Sequence, residues 1–205
     1  MIVGITGSIG TGKSTVSKMF GEMGAVVIDY DLLAREAVLP GRPAYNAIVK
    51  RFGASFLSPD GTIARDKLGD LVFRDPDARR DLNAIVHPEV FTADLSLTRD
   101  VLARNPQAVI VKEIPLLTQI GIDPKSLVDK VVVVSACRAT QIARVCGRGF
   151  TPEQAEERVA SQAPIQETEG FADFVIQNDG SLEDTRAQVR RVYSALAEEA
   201  KRTKT

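Results

Sequence analysis

Apolar residues in this chain fall into two periodicities. Short continuous runs mark strands at Ile2-Val3-Gly4-Ile5-Thr6, Ala25 to Ile28, 108–114, 130–135 and 172–176. The runs at 108–114 and 130–135 are nearly unbroken, the kind buried on both faces of a parallel sheet. After the first strand, Val16, Met19, Phe20 and Met23 recur at i, i+3, i+4 and i+7, a helical stripe closed by Gly24. Further helices are predicted at about 138–147, from Thr151 onward, and at about 183–200. The Thr151 start places Pro152 at the first helical position and Gln154 three residues after the cap, a capping-box pattern. From 32 to about 105 the continuous strands vanish. Short polar helices there are punctuated by Pro40-Gly41, Pro43, Pro59-Asp60-Gly61, Pro76 and Pro88, which reads as a mostly helical insertion. The tail Lys201-Arg202-Thr203-Lys204-Thr205 reads as a frayed, solvated end. Strands alternating with helices predict an α/β fold with a five-stranded parallel sheet flanked by helices.

Composition narrows the function classes. At 205 residues the chain has room for one core with a smaller inserted subdomain. Lys plus Arg (26) against Asp plus Glu (27) leaves a net charge of −1, so no global basic excess points to nucleic acid. No apolar run approaches a membrane span, and the first charged residue, Lys13, comes too late for the basic start of a signal peptide. The expectation is a cytoplasmic protein without a membrane or nucleic-acid partner, a monomer or weak homo-oligomer. Cys137 and Cys146 would lie on opposite faces of one predicted helix, about 13 Å apart along its axis, and read as packing residues rather than a disulfide.

The strongest chemical signal lies between the first strand and first helix. Gly7-Ser8-Ile9-Gly10-Thr11-Gly12-Lys13-Ser14 fits G-x-x-x-x-G-K-[ST] in the strand–turn–helix context that the motif requires. Its glycines let backbone N–H groups converge on phosphate at the positive end of a helix. Gly10, Thr11, Gly12, Lys13, Ser14 and Thr15 are the candidate nucleotide-binding residues. Lys13, expected to face solvent without ligand, would reach the β- and γ-phosphates of ATP, and Ser14 would hold Mg²⁺. No Asn-Lys pair exists to read guanine, and Asp66-Lys67-Leu68-Gly69 follows no strand, so a GTPase is disfavoured.

Asp29 and Asp31 close the second strand, at the sheet edge where open α/β folds bind ligands. Spaced by two, they would face the same way if the strand continued. One would accept a proton from an attacking hydroxyl while the other ordered the waters of Mg²⁺; the alternative is a strand-end Asp capping the next helix.

At this point the chain resembles the dephospho-CoA kinases, over nearly its whole length and in order. The matching pieces are Thr6 to Thr15; Val27-Ile28-Asp29-Tyr30-Asp31 with Ala34-Arg35; Phe52-Gly53; Asp60-Gly61; Arg65 with Leu68; Val72-Phe73; His87-Pro88; Ile114-Pro115-Leu116-Leu117; and Gln141, Arg144, Arg148, Gln162, Ala172-Asp173 and Asn178. The resemblance implies a P-loop kinase that transfers the ATP γ-phosphoryl group to the ribose 3′-hydroxyl of dephospho-CoA. It implies a nucleotide-binding core at 1–31 and 106–205, a lid at about 140–165, and a helical insertion at 32–105 that binds the CoA substrate. By motif position it makes Asp31 the candidate base, Arg65 and His87 substrate-site residues, and Arg144 and Arg148 phosphate-clamping arginines. Gly147 and Gly149, flanking Arg148, look like a lid hinge. Ser8, Tyr30, Glu113 and Thr118-Gln119 depart from the family pattern, the last in the expected CoA contacts around 116–121. His87 immediately precedes Pro88, which biases its backbone to an extended conformation before a helix; for it a capping or packing role remains open, and for the arginines a solvated basic face. The rival reading is another P-loop small-molecule or nucleotide kinase.

Overall fold

The structure is a computed structural model that describes residues 1–115, 117, 123–163 and 165–202. The lid residue at 164, the tail at 203–205 and all of the expected CoA contacts around 116–121 except Leu117 lie outside the described residues. By compactness the chain divides into two units, Met1–Asp29 with Val101–Thr205, and Tyr30–Asp100.

The first unit holds a five-stranded sheet: β1 (Ile2–Thr6), β2 (Val26–Asp29), β3 (Ile110–Glu113), β4 (Lys130–Ser135) and β5 (Phe174–Gln177). Its order is β2-β3-β1-β4-β5, and every pairing is parallel. Position in that order explains composition. The central β3 and β4 are buried almost throughout, as their unbroken apolar runs require, whereas the edge strands β2 and β5 expose Val26, Val27 and Val175. Helix α1 (Lys13–Glu22) lays Val16, Met19 and Phe20 on Val3, Ile5 and Val111, and α9 (Leu182–Arg202) adds Val189, Val192 and Leu196 to the same core. The last helix therefore includes Lys201 and Arg202, expected to be frayed: Ala200 near its end is buried in the core and holds the final turn.

The second unit is helical: α2 (Tyr30–Ala37), α3 (Pro43–Phe52), α4 (Arg65–Arg74) and the part of α5 (Pro76–Arg104) up to Asp100. Ile48, Ile63 and Leu68 form its core, with Val49, Phe52, Leu82 and Val86 packed around them. Two expectations are corrected here. Pro43 and Pro76 begin helices rather than break them, because a first-turn N–H has no intrahelical acceptor to lose. Pro88 lies inside the 29-residue α5, so His87 is helical and not extended. The turns on either side hold the helix through the one missing N–H, and Thr92 Oγ1 donates to Pro88 O at 2.8 Å.

Returning to the first unit, α6 (Arg138–Cys146) and α7 (Pro152–Ala160) pack together, and a short α8 (Ile165–Glu169) precedes β5. Both cysteines are free; Cys137 is exposed at the start of α6, not packed, because its backbone N–H is drawn to the Asp179 carboxylate at 2.9 Å. Among the described residues no helix is long and apolar enough to cross a membrane.

Candidate active site

The phosphate loop sits at the carboxyl end of β1, and its glycines are dictated by what surrounds it. At Gly7 a Cβ would lie 2.4 Å from Val134 O; at Gly10, 2.6 Å from Gln141 O; at Gly12, 2.2 Å from Asn178 Nδ2. Gly10 and Gly12 also have φ of 78° and 91°, a region L side chains avoid. The N-terminus of α1 carries no side-chain cap and no acidic residue in its first turn. Among the described residues, the N–H groups of Gly10, Gly12 and Ser14 make no hydrogen bond. Orphan donors at a positive helix end are the chemistry an anionic phosphate completes.

Lys13 does not point into solvent. Its Nζ folds back on the loop, donating to Gly7 O at 2.6 Å and more weakly to Ser8 O at 3.4 Å. A desolvated ammonium beside carbonyls needs such partners, and incoming phosphate oxygens would compete for the same hydrogens. Ser14 Oγ donates to Glu113 Oε1 at 2.8 Å. Glu113, 7% exposed at the end of β3, pairs in register with Ile5 on one side and Asp29 on the other. Paired positions on parallel strands share a face, so a hydroxyl and carboxylates gather beside the loop, a hard-oxygen set suited to Mg²⁺. Among the described residues no cluster of three or more acidic, His or Cys side chains forms a ready cation cage; Mg²⁺ with few protein ligands and several waters fits this set.

Arg144 reaches the loop from behind. Its Nη1 donates to Gly10 O (3.3 Å) and Thr11 O (3.1 Å), and its Nη2 to Asn178 O (2.7 Å). These acceptors are backbone carbonyls of the loop and of the segment after β5, so the guanidinium is a brace in this structure. Arg148 is exposed in the turn after α6; its backbone N–H donates to Val145 O at 3.0 Å, and its guanidinium makes no hydrogen bond or ion pair among the described residues. It is not brought to the loop.

In the helical unit, Asp31 and Arg65 line one cavity of about 380 Å³. Arg35, one turn after Asp31 on α2, joins them, and Arg65 Nη2 donates to Arg35 O at 3.4 Å. Val38, Ile48, Ile63, Leu82 and Val86 make the remainder of the wall apolar. β2 ends at Asp29 and α2 begins at Tyr30, so the two aspartates do not share a strand face. That expectation needed the strand to continue, but at Tyr30 the chain turns helical, where each residue rotates by about 100°. His87 is outside the cavity, exposed on α5 and meeting Phe91 edge-on at 6.4 Å between ring centroids. Tyr30 also meets Phe91 edge-on (6.5 Å); burial pushes its phenol well above the usual range, and the neighbouring Asp94 carboxylate, to which it hydrogen-bonds, pushes the same way.

Comparison with known proteins decides the family. The family model for dephospho-CoA kinase matches residues 1–184. The chain belongs to the dephospho-CoA kinase family. A dephospho-CoA kinase of Geobacter metallireducens is 46% identical over 200 residues, covering 97% of this chain and 98% of that relative. One from Streptomyces avermitilis is 44% identical over 97% of this chain and 95% of the relative. The solved dephospho-CoA kinase of Campylobacter jejuni superposes with a TM-score of 0.69 at 26% identity, over 97% of this chain and 98% of that one. Membership makes the chain a kinase that uses ATP, a transferase of CoA biosynthesis, built on a P-loop.

Within that family frame, three residues that sequence reasoning left unassigned touch the site. Glu113 was visible only as a departure; the signal was an acidic residue ending a buried apolar strand beside β1. Gln162 Oε1 accepts from the loop's Ile9 N–H at 2.7 Å. Asn178 Nδ2 donates to Thr11 O at 2.7 Å. Gln162 and Asn178 are 153 and 167 residues from the loop residues they contact, and no local pattern announces such contacts.

Proposed function

We propose that the chain transfers the γ-phosphoryl group of ATP to the ribose 3′-hydroxyl of dephospho-CoA, giving CoA and ADP, the closing step of CoA biosynthesis. The observation that supports this most is the co-occurrence, in one family-matched chain, of an open phosphate loop and a cavity that carries a carboxylate, two arginines and an apolar wall. The apolar wall suits the uncharged pantetheine portion of the acceptor, and the arginines suit its pyrophosphate. We place the protein in the cytoplasm, as a monomer or weak homo-oligomer without nucleic-acid or membrane partners.

Phosphoryl transfer proceeds through a loose transition state, so catalysis is mainly positioning and charge neutralisation. The amides of Gly10, Gly12 and Ser14 receive phosphate oxygens. Lys13 exchanges its loop carbonyls for the β- and γ-phosphates. Ser14, Glu113 and Asp29 are the residues that would hold Mg²⁺, directly or through its waters; when bound, the ion neutralises phosphate charge. Asp31 orients the attacking hydroxyl and accepts its proton. Arg65, with His87 from the neighbouring helix, binds the acceptor. The segment at about 140–165 is the lid, and Arg148, flanked by Gly147 and Gly149, is its clamping arginine, with Arg144 holding the loop in shape. Lid closure excludes water, which would otherwise waste ATP by hydrolysis.

The direct experiment measures ADP release with dephospho-CoA against shikimate, gluconate and nucleoside monophosphates, together with chromatographic detection of CoA. Only dephospho-CoA should support turnover, and efficient phosphorylation of another acceptor would overturn the reading. Asp31→Asn keeps shape but removes the base, so kcat should fall about 10²–10⁴-fold with the KM for ATP unchanged. If Asp29→Asn produces that loss instead, the two carboxylates have exchanged roles.

A further inference from the structure

The segment just after β5 contains a side chain with more contacts than a linker needs. Asn178 is 3% exposed, and all four of its polar groups have partners. Its N–H donates to Ser135 O at the end of β4 (2.8 Å), and its carbonyl accepts from Arg144 Nη2 (2.7 Å). Its side-chain Nδ2 donates to Thr11 O (2.7 Å), while Oδ1 accepts from Thr185 Oγ1 (2.9 Å). Thr185 is fully buried on α9, and its one hydroxyl hydrogen is shared with the more distant Ser181 O at 3.2 Å. The Thr185 bond fixes which way the amide faces: oxygen toward the hydroxyl, nitrogen toward the loop.

We propose that Asn178, held in orientation by Thr185, is a positioning residue for phosphoryl transfer: it sets the Thr11–Gly12 peptide so that the Gly12 N–H faces the polyphosphate. The argument is geometric. In a trans peptide the C=O and the following N–H point in opposite directions, and no cis bond occurs among the described residues. Thr11 O is drawn outward by two donors, Asn178 Nδ2 at 2.7 Å and the cationic Arg144 Nη1 at 3.1 Å. The Gly12 N–H is thereby turned the other way, and it has no acceptor among the described residues. Bonding at the oxygen also polarises the peptide and strengthens its N–H as a donor. The glycine at position 12 follows from the same arrangement. With φ of 91°, its missing Cβ would stand 2.2 Å from Asn178 Nδ2, so a side chain there would expel the amide that orients the loop. A side chain from beyond the last strand thus shapes the donor array at the other end of the chain, without touching substrate itself.

The test uses the full-length protein and two probes, Mg-ADP and inorganic tripolyphosphate, with affinities read by calorimetry alongside both KM values. One buried hydrogen bond changes affinity by a few-fold to about tenfold. Asn178→Ala should weaken both probes by about tenfold and raise the KM for ATP to match, leaving the KM for dephospho-CoA unchanged. Thr185→Val, which keeps the shape of the side chain and never contacts the loop, should weaken tripolyphosphate by about threefold; Thr185→Ser, which restores the hydroxyl, should recover wild-type affinity. If Asn178→Ala fails to fold, the Thr185 pair decides. Equal tripolyphosphate affinity for Thr185→Val and wild type would overturn the proposal, as would a parallel loss in both KM values, which marks general loosening. The inference requires only that the loop binds polyphosphate, so it stands or falls separately from the acceptor assignment, which the ADP-release panel tests.

Discussion

Tyr30 stands where the family pattern has alanine, and its larger side chain is half-buried. Its ring lies against Phe91, and its hydroxyl hydrogen-bonds to Asp94, itself 3% exposed. Desolvation of the phenolate and the adjacent carboxylate both raise its pKa above the ordinary value near 10. The folded state therefore holds the phenolic proton more tightly than the unfolded chain. Its stabilising contribution is fully present below pH 10 and is lost as pH rises through the elevated folded value. The chain has three tyrosines, so absorbance of tyrosinate on alkaline titration should show one delayed component. Tyr30→Phe should remove that component, and its persistence in the variant would overturn the assignment to Tyr30. At this scale the sequence was informative where chemistry depends on a residue and its immediate neighbours, as in the Gly7–Ser14 loop. It was silent where a side chain's role comes from a distant partner. Arg144 was expected on phosphate, but three carbonyls, two of them in the loop itself, occupy its guanidinium.

Helices show the same division. The capping box at Thr151 was legible because all of its parts lie within four residues, and both halves form: Gln154 N donates to Thr151 Oγ1 at 3.3 Å, and Thr151 N donates to Gln154 Oε1 at 3.0 Å. Since α7 begins within the proposed lid, loss of this cap should fray its first turn. Thr151→Ala is expected to cost about 1 kcal/mol, seen as a lower Tm, while Thr151→Ser should cost far less. An unchanged Tm for the alanine variant would mean that packing of α6 on α7 sets the helix start without the cap. All five strands were readable too, because each is an apolar run with turn residues nearby. The 29-residue α5 was not. Prolines at 76 and 88 have opposite consequences, one starting the helix and one tolerated inside it, and local sequence does not separate those cases. The aspartate pair failed for a related reason, since strand and helix are equally plausible for Tyr30-Asp31 until the surroundings of Tyr30 are known.

Across the whole chain the residues assigned to the two substrates fall in different compact units. Residues 1–29 and 101–205 carry the loop, Ser14, Glu113 and Arg144, whereas residues 30–100 carry the cavity with Asp31, Arg35 and Arg65. This partition makes a prediction that neither unit makes alone: substitutions should separate into two kinetic classes. Arg65 is exposed, and its hydrogen bond within the fold is a long one to Arg35 O, so its removal should not disturb stability. Arg65→Ala should raise the KM for dephospho-CoA about tenfold or more, the scale of one lost bond to a charged group, and leave tripolyphosphate affinity at the wild-type value. Lys13→Ala should do the converse, abolishing turnover and weakening tripolyphosphate while equilibrium binding of dephospho-CoA persists. Calorimetry with each ligand on each variant completes the comparison. If Arg65→Ala weakens tripolyphosphate and dephospho-CoA alike, or Lys13→Ala loses the acceptor, the substrate assignments do not follow the division of the fold.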